Sequence, residues 1–122
     1  MKLSLPIVLT GLALVGAARA APPAADVKAG AALFEDRCAI CHQDQGGGQG
    51  PGLKGVSGRK AGSVKGFDYT PALKASGLTW TAATLDMFLT NPGKAVPGTA
   101  MPIRVGDATQ RAALIAYLAN RP

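Results

Sequence analysis

The chain has 122 residues, 48% of them hydrophobic and only 16% charged, with 16 glycines, 9 prolines and 5% aromatics. That length suits one ordinary domain, and that balance excludes a disordered chain or a coiled coil. The net charge of +6 is thinly spread with no run of Lys or Arg, so no nucleic-acid arm and no nucleic-acid partner are expected. Two cysteines and the single histidine, Cys38, Cys41 and His42, fall within five residues, and two cysteines three apart cannot staple a domain across its body. With so few large side chains, something other than protein must complete the core.

Residues 1–20 read as an export signal. Lys2 supplies the positive start, Leu3 to Ala18 is an uncharged, mostly apolar run of 16 residues, and Ala18-Arg19-Ala20 fits a small-x-small cleavage site. An uncleaved anchor is the alternative, but the run contains Pro6, Gly11 and Gly16 and is shorter than the roughly 20 residues that span a bilayer. Cleavage after Ala20 leaves 102 residues, removes Lys2 and Arg19, and lowers the side-chain charge to +4. The expected product is exported, to the periplasm in a bacterial host, with no stable membrane insertion. Residues 21–25 form a short tether and 26–122 the domain.

Asp26 is the expected N-cap of a helix to about Arg37, with Gly30, Leu33 and Phe34 towards one face. Gly46 to Gly66 holds nine of the sixteen glycines and little periodicity, a loop long enough to wrap something. Thr70-Pro71 should open a short helix that ends before Gly77. A further helix is expected from near Thr81 to the residue before Asn91-Pro92, since the position before proline avoids helical angles. Pro97-Gly98 marks a turn. Asp107 with Gln110 resembles a capping box for a last helix through about Asn120, with Leu114, Tyr117 and Leu118 on one face. No segment alternates as a strand should, so the expected fold is all-α, with four to five short helices and long loops.

Cys38-Ala39-Ile40-Cys41-His42 matches the C-x-x-C-H signature of covalent haem attachment. Thiols three apart on a helical turn share a face, so both sulfurs can add to the two vinyl groups of one porphyrin, and the next residue can present an imidazole to the iron. Three other readings stand beside it. A thioredoxin-like dithiol needs a βαβ context that the pattern lacks, a zinc site lacks a fourth ligand, and a chance match is always open.

From about Asp26 to Leu118 the chain resembles the class I c-type cytochromes, especially cytochromes c2 and c550 and mitochondrial cytochrome c. Gly30-Ala31-Ala32-Leu33-Phe34 before the haem motif is similar to the family's first helix, and Leu114-Ile115-Ala116-Tyr117-Leu118 to its last. Gly50-Pro51-Gly52-Leu53, Gly58-Arg59-Lys60-Ala61-Gly62, Gly66-Phe67-Asp68-Tyr69-Thr70 and Leu78-Thr79-Trp80 resemble its connecting segments, and Pro97-Gly98-Thr99-Ala100-Met101 resembles the loop of its second axial ligand. The resemblance implies one haem c bound through Cys38 and Cys41, with His42 and Met101 as axial ligands. It also implies that the Pro51 carbonyl accepts the other imidazole N–H, and that Arg59, Tyr69 and Trp80 serve the haem propionates.

A lone methionine is more often a gap-filler than a ligand, so Met101 owes its role to the resemblance, while Met87, between Asp86 and Phe88 in an expected helix, reads as core. A thioether favours ferrous iron, and two filled axial positions leave no vacancy for oxygen or peroxide. The implied function is a one-electron carrier, not an enzyme. It would be a monomer working between a bc1-type complex and an oxidase, reductase or dehydrogenase of a respiratory or photosynthetic chain. A peroxidase-like enzyme or gas sensor, with an openable sixth position, is the alternative. The chain departs from the mitochondrial pattern at Phe88 and Leu73, where a tyrosine and an asparagine usually support the loop threonine. It departs again at Gly93 and Ala100, where lysines usually flank the haem edge. Val96, Ala100 and Ile103 are therefore the expected apolar contacts at that edge.

Overall fold

The structure, a computed structural model, describes residues 25–121, so the expected signal peptide and most of the tether lie outside the described residues. Helix α1 spans Val27–Arg37, and Asp26 caps it by accepting the Ala29 amide at 3.0 Å. The short α2, Pro71–Ala75, has Pro71 in its first turn, where its missing N–H costs nothing, and Thr70 caps it by accepting the Leu73 amide. Helix α3, Ala82–Thr90, opens with a reciprocal box in which Thr81 and Thr84 each take the other's amide. Threonine stands there in place of the usual Glu or Gln, so only the Thr81 half was legible beforehand. Asn91 then ends α3 and caps one further turn, α4, Pro92–Ala95. Helix α5, Ala108–Ala119, begins at Asp107, which accepts the Gln110 amide at 2.8 Å.

The expected all-α class holds. A single bridge between Lys60 and Thr79 is the nearest approach to a strand among the described residues. Its flanking bonds, Gly58 to the Trp80 carbonyl, Trp80 to the Arg59 carbonyl and Ala61 to the Leu78 carbonyl, fasten the glycine-rich loop to the segment leading into α3. The single-turn α4 was not expected. The extended Asn91 does interrupt the helix, but Pro92 with its fixed φ restarts one immediately.

Helices α1 and α5 cross at Gly30. A Cβ at Gly30 would run into the backbone carbonyl of Ala113 and come within 2.9 Å of Tyr117 Cβ, so only glycine permits the approach. One turn on, the rings of Phe34 and Tyr117 pack with centroids 5.4 Å apart. Phe34, Leu114, Leu118, Leu85, Phe88, Leu89 and Val105 form the core that backs the site. Met87 does not belong to it. It is 46% exposed, because at 100° per residue it points away from the face shared by Leu85, Phe88 and Leu89.

In an open helix, glycine to alanine gains about 1 kcal/mol. At Gly30 the collision should reverse that sign, with Gly30→Ala costing on the order of 1–3 kcal/mol, the usual range for overpacking. Guanidinium unfolding of the two proteins measures this directly. A more stable variant would mean that the helices do not cross there.

Candidate haem site

The backbone continues past α1 in a tight turn, with the Cys41 and His42 amides both donating to the Cys38 carbonyl at 3.1 and 2.9 Å. That turn brings Cys38, Cys41 and His42 to the wall of one crevice of about 260 Å³. Phe34, Leu85, Phe88, Leu89, Leu114 and Leu118 form its apolar back. Pro51, Arg59, Tyr69 and Trp80 line it as well, and Met101 reaches it from the loop between α4 and α5. All eight residues that the sequence singled out therefore meet in one place. A concave, mostly apolar crevice with a few polar groups on its lining is the usual form of a cofactor site.

The His42 Nδ1 lies 2.8 Å from the Pro51 carbonyl. A carbonyl oxygen only accepts, so Nδ1 holds the proton and donates, and the lone pair of the neutral ring is left on Nε2. Burial lowers the His42 pKa, and the hydrogen bond to Pro51 offsets this in part, so the neutral, ligating form prevails at neutral pH. Gly50 is why the loop can lie so close. A Cβ there would sit 2.5 Å from Cε1 and 2.6 Å from Nδ1 of His42. The sequence reading quoted Gly50 within a loop motif without seeing that the imidazole needs it.

Cys38 is buried and Cys41 half-buried, and burial raises the Cys38 pKa against the opposing charge of Arg37. Among the described residues no three His, Cys, Asp or Glu side chains converge on a point where they could hold a metal ion, which removes the zinc reading. The residues fit haem instead. Two thiols lie on one wall, an imidazole with a free Nε2 stands beside them, and a thioether, a soft neutral donor, lines the same space.

The other predicted residues sit around this centre. Arg59 donates to the Gly52 and Lys54 carbonyls, both at 3.0 Å, and so braces the loop while keeping three further N–H groups. The Tyr69 hydroxyl accepts the Val64 amide at 3.2 Å. Trp80 packs edge-on against Phe88 with centroids 5.0 Å apart. Phe88 and Leu73 both line the crevice, so the two departures from the mitochondrial pattern make its wall more apolar. Thr99 still has a local partner, since its hydroxyl accepts the Met101 amide at 3.4 Å. Two arginines escaped the sequence reading. Arg37, which lines the crevice, donates to the Arg104 carbonyl at 2.9 Å, and Arg121 reaches Asp44 from just beyond α5. Their partners lie 67 and 77 residues away, beyond any local pattern.

An all-α body of five short helices, wrapped by a long loop around a crevice with two thiols, an imidazole and a thioether, defines a haem-binding protein of the c type. The comparisons agree. Residues 27–122 match the family described as Cytochrome c. The chain is 44% identical over 119 residues to cytochrome c2 of Rhodomicrobium vannielii, covering 94% of each chain. It is 48% identical over 97 residues to cytochrome c of Gibberella zeae, covering 76% of this chain and 92% of that one. Among solved structures, cytochrome cH from Methylobacterium extorquens superposes with a TM-score of 0.73 at 44% identity, covering 77% of this chain and 97% of that one. The chain belongs to the cytochrome c family, whose members carry electrons on one covalently bound haem and are not enzymes.

Proposed function

We propose that residues 26–122 form an exported one-electron carrier holding one haem c through thioethers to Cys38 and Cys41, with His42 and Met101 as axial ligands. The observation that carries this reading is the fixed tautomer of His42, which leaves the Nε2 lone pair available in the crevice that Cys38, Cys41 and Met101 also line. Haem c bound there supplies reversible one-electron chemistry between ferric and ferrous iron. The chain's own residues set the terms of that exchange. The Pro51 carbonyl orients the imidazole and raises its basicity. The apolar wall with Phe88 and Leu73 disfavours the extra charge of the oxidised state. Arg59, Tyr69 and Trp80, which line the same crevice, would serve as donors to the propionates.

Residues 1–20 are proposed as a cleaved signal and 21–25 as a tether, which puts the carrier in the periplasm of a bacterial host. The likeness to cytochrome c2, which covers more of the chain than residues 25–121, supports this reading. Donors and acceptors of the bc1, oxidase, reductase or dehydrogenase kind are the proposed partners.

Attachment and ligation are tested together. Extraction with acidic acetone should leave the colour on the protein, and complete release would refute the thioethers. Met101→Ala should give a high-spin ferric spectrum, a lower potential and new peroxidase activity, because it opens the iron. An unchanged spectrum would mean that another residue ligates.

The surface near Met101 sets how partners are met. Ala100 is exposed and Ile103 is 37% exposed, but Val96 is only 4% exposed and packs in the core, because the turn after α4 folds it inward. The expected apolar contact there reduces to Ala100 and Ile103. Arg37 and Arg104, joined by a hydrogen bond from the Arg37 guanidinium to the Arg104 carbonyl, add positive charge that Gly93 and Ala100 alone do not reveal. Steering is still modest with lysine absent from two rim positions, since rim charges act mainly on association rate. Electron-transfer rates with an acidic partner should fall gently with ionic strength, and Ala100→Lys should steepen the fall. Parallel curves for the two proteins would show that this edge does not face the partner.

A further inference from the structure

We infer that Arg121 is a positioning residue for the proximal side of the site, pinning both ends of the loop that carries the Pro51 acceptor of His42. The inference rests on the haem reading above. Arg121 Nη2 pairs with Asp44 Oδ2 at 2.6 Å, two residues past His42, with side chains only 12% and 30% exposed. The backbone carbonyl of Arg121 accepts the Gly55 amide at 3.0 Å, at the other end of the same loop. One residue thus clasps positions 44 and 55, and Pro51 lies between them. Gly55 has φ +65, a left-handed conformation that turns its amide towards α5 and that other residues adopt with strain.

The clasp is itself anchored. The guanidinium lies 4.4 Å from the centre of the Phe34 ring and 5.5 Å from that of Tyr117, the pair that joins α1 to α5, so it sits over their faces as a cation–π stack. Its Nη1 is buried without a hydrogen-bond partner among the described residues, so the stack and the Asp44 pair hold the group in place. A half-buried ion pair of this kind contributes little as a hydrophobic substitute but fixes geometry, and losing one partner strands the other. Arg59 braces Gly52 and Lys54 and the Gly50 amide donates to the Cys41 carbonyl, so what Arg121 adds is the hold on the two ends of the loop, at positions 44 and 55. Releasing it lets Pro51 move relative to His42. A weaker Nδ1–H bond leaves the imidazole less basic, destabilises ferric iron and raises the potential.

The test uses the holoprotein as wild type, Asp44→Ala, Arg121→Met and Arg121→Lys. It follows hydrogen exchange by NMR at His42 Nδ1–H and at the Gly50 and Gly55 amides, alongside reduction potential and global stability. Asp44→Ala leaves the cation–π stack in place, so it remains informative if Arg121→Met folds poorly. Exchange at these sites should accelerate by about tenfold or more beyond what the change in global stability explains, as expected when a charge-assisted bond to a local loop is lost. The potential should rise in Asp44→Ala and Arg121→Met, and Arg121→Lys should restore part of both effects. Loop exchange that merely follows global stability, with an unchanged potential, would overturn the inference and leave Arg121 as packing alone. Failure of the haem reading is seen separately, as wild type without covalent haem, and the Gly50 and Gly55 amides still report on the clasp.

Discussion

Nδ1 of His42 lies 2.8 Å from the Pro51 carbonyl, and that hydrogen bond decides which imidazole nitrogen is free to face the crevice. Much of the architecture follows from the need to make it. The loop must return to within van der Waals distance of the ring, which requires Gly50. It must then be held there, by the Gly50 amide on the Cys41 carbonyl, by Arg59 on Gly52 and Lys54, and by Arg121 on Asp44 and Gly55. The helix leading into the motif must be equally fixed, and the Gly30 crossing with α5 does that. The first and last helices of the domain therefore pack together where α1 leads into the motif.

The distal side is built differently. Met101 is carried on a loop whose supports are local or thin, with the Thr99 hydroxyl on its own amide and Arg37 on the Arg104 carbonyl. Gly98, with φ +94, lies so close to α2 that a Cβ would stand 2.9 Å from that of Ala72. Contact with α2 thus takes over some of the support that polar partners at Phe88 and Leu73 would otherwise give. The result is a firmly braced proximal wall facing a distal loop held mostly by packing and by an apolar lining.

Where the chain could be read in advance, the controlling interaction was short-range. Asp26, Thr70, Thr81 and Asp107 each cap a helix through an amide three residues on, so a local pattern was enough to locate α1, α2, α3 and α5. The same holds for the motif at Cys38, Cys41 and His42, whose spacing is its chemistry. The misses have a common physical cause. Met87 and Val96 were judged by residue type and neighbourhood, whereas helix phase turned one outward and a loop turned the other inward. Arg37 and Arg121 form contacts across 67 and 77 residues, which no spacing along the chain encodes. The close approach at Gly50 belongs to the same group, being visible only once His42 is in place.

If His42 and Met101 close both faces of one haem, the protein transfers electrons and leaves no coordination position open. The direct measurement is the optical spectrum of the reduced protein before and after exposure to carbon monoxide at neutral pH. A low-spin ferrous spectrum that carbon monoxide leaves unchanged is the expected result. Rapid, complete formation of a carbon monoxide adduct in the native protein would contradict it, because it would mean that the iron has an open face.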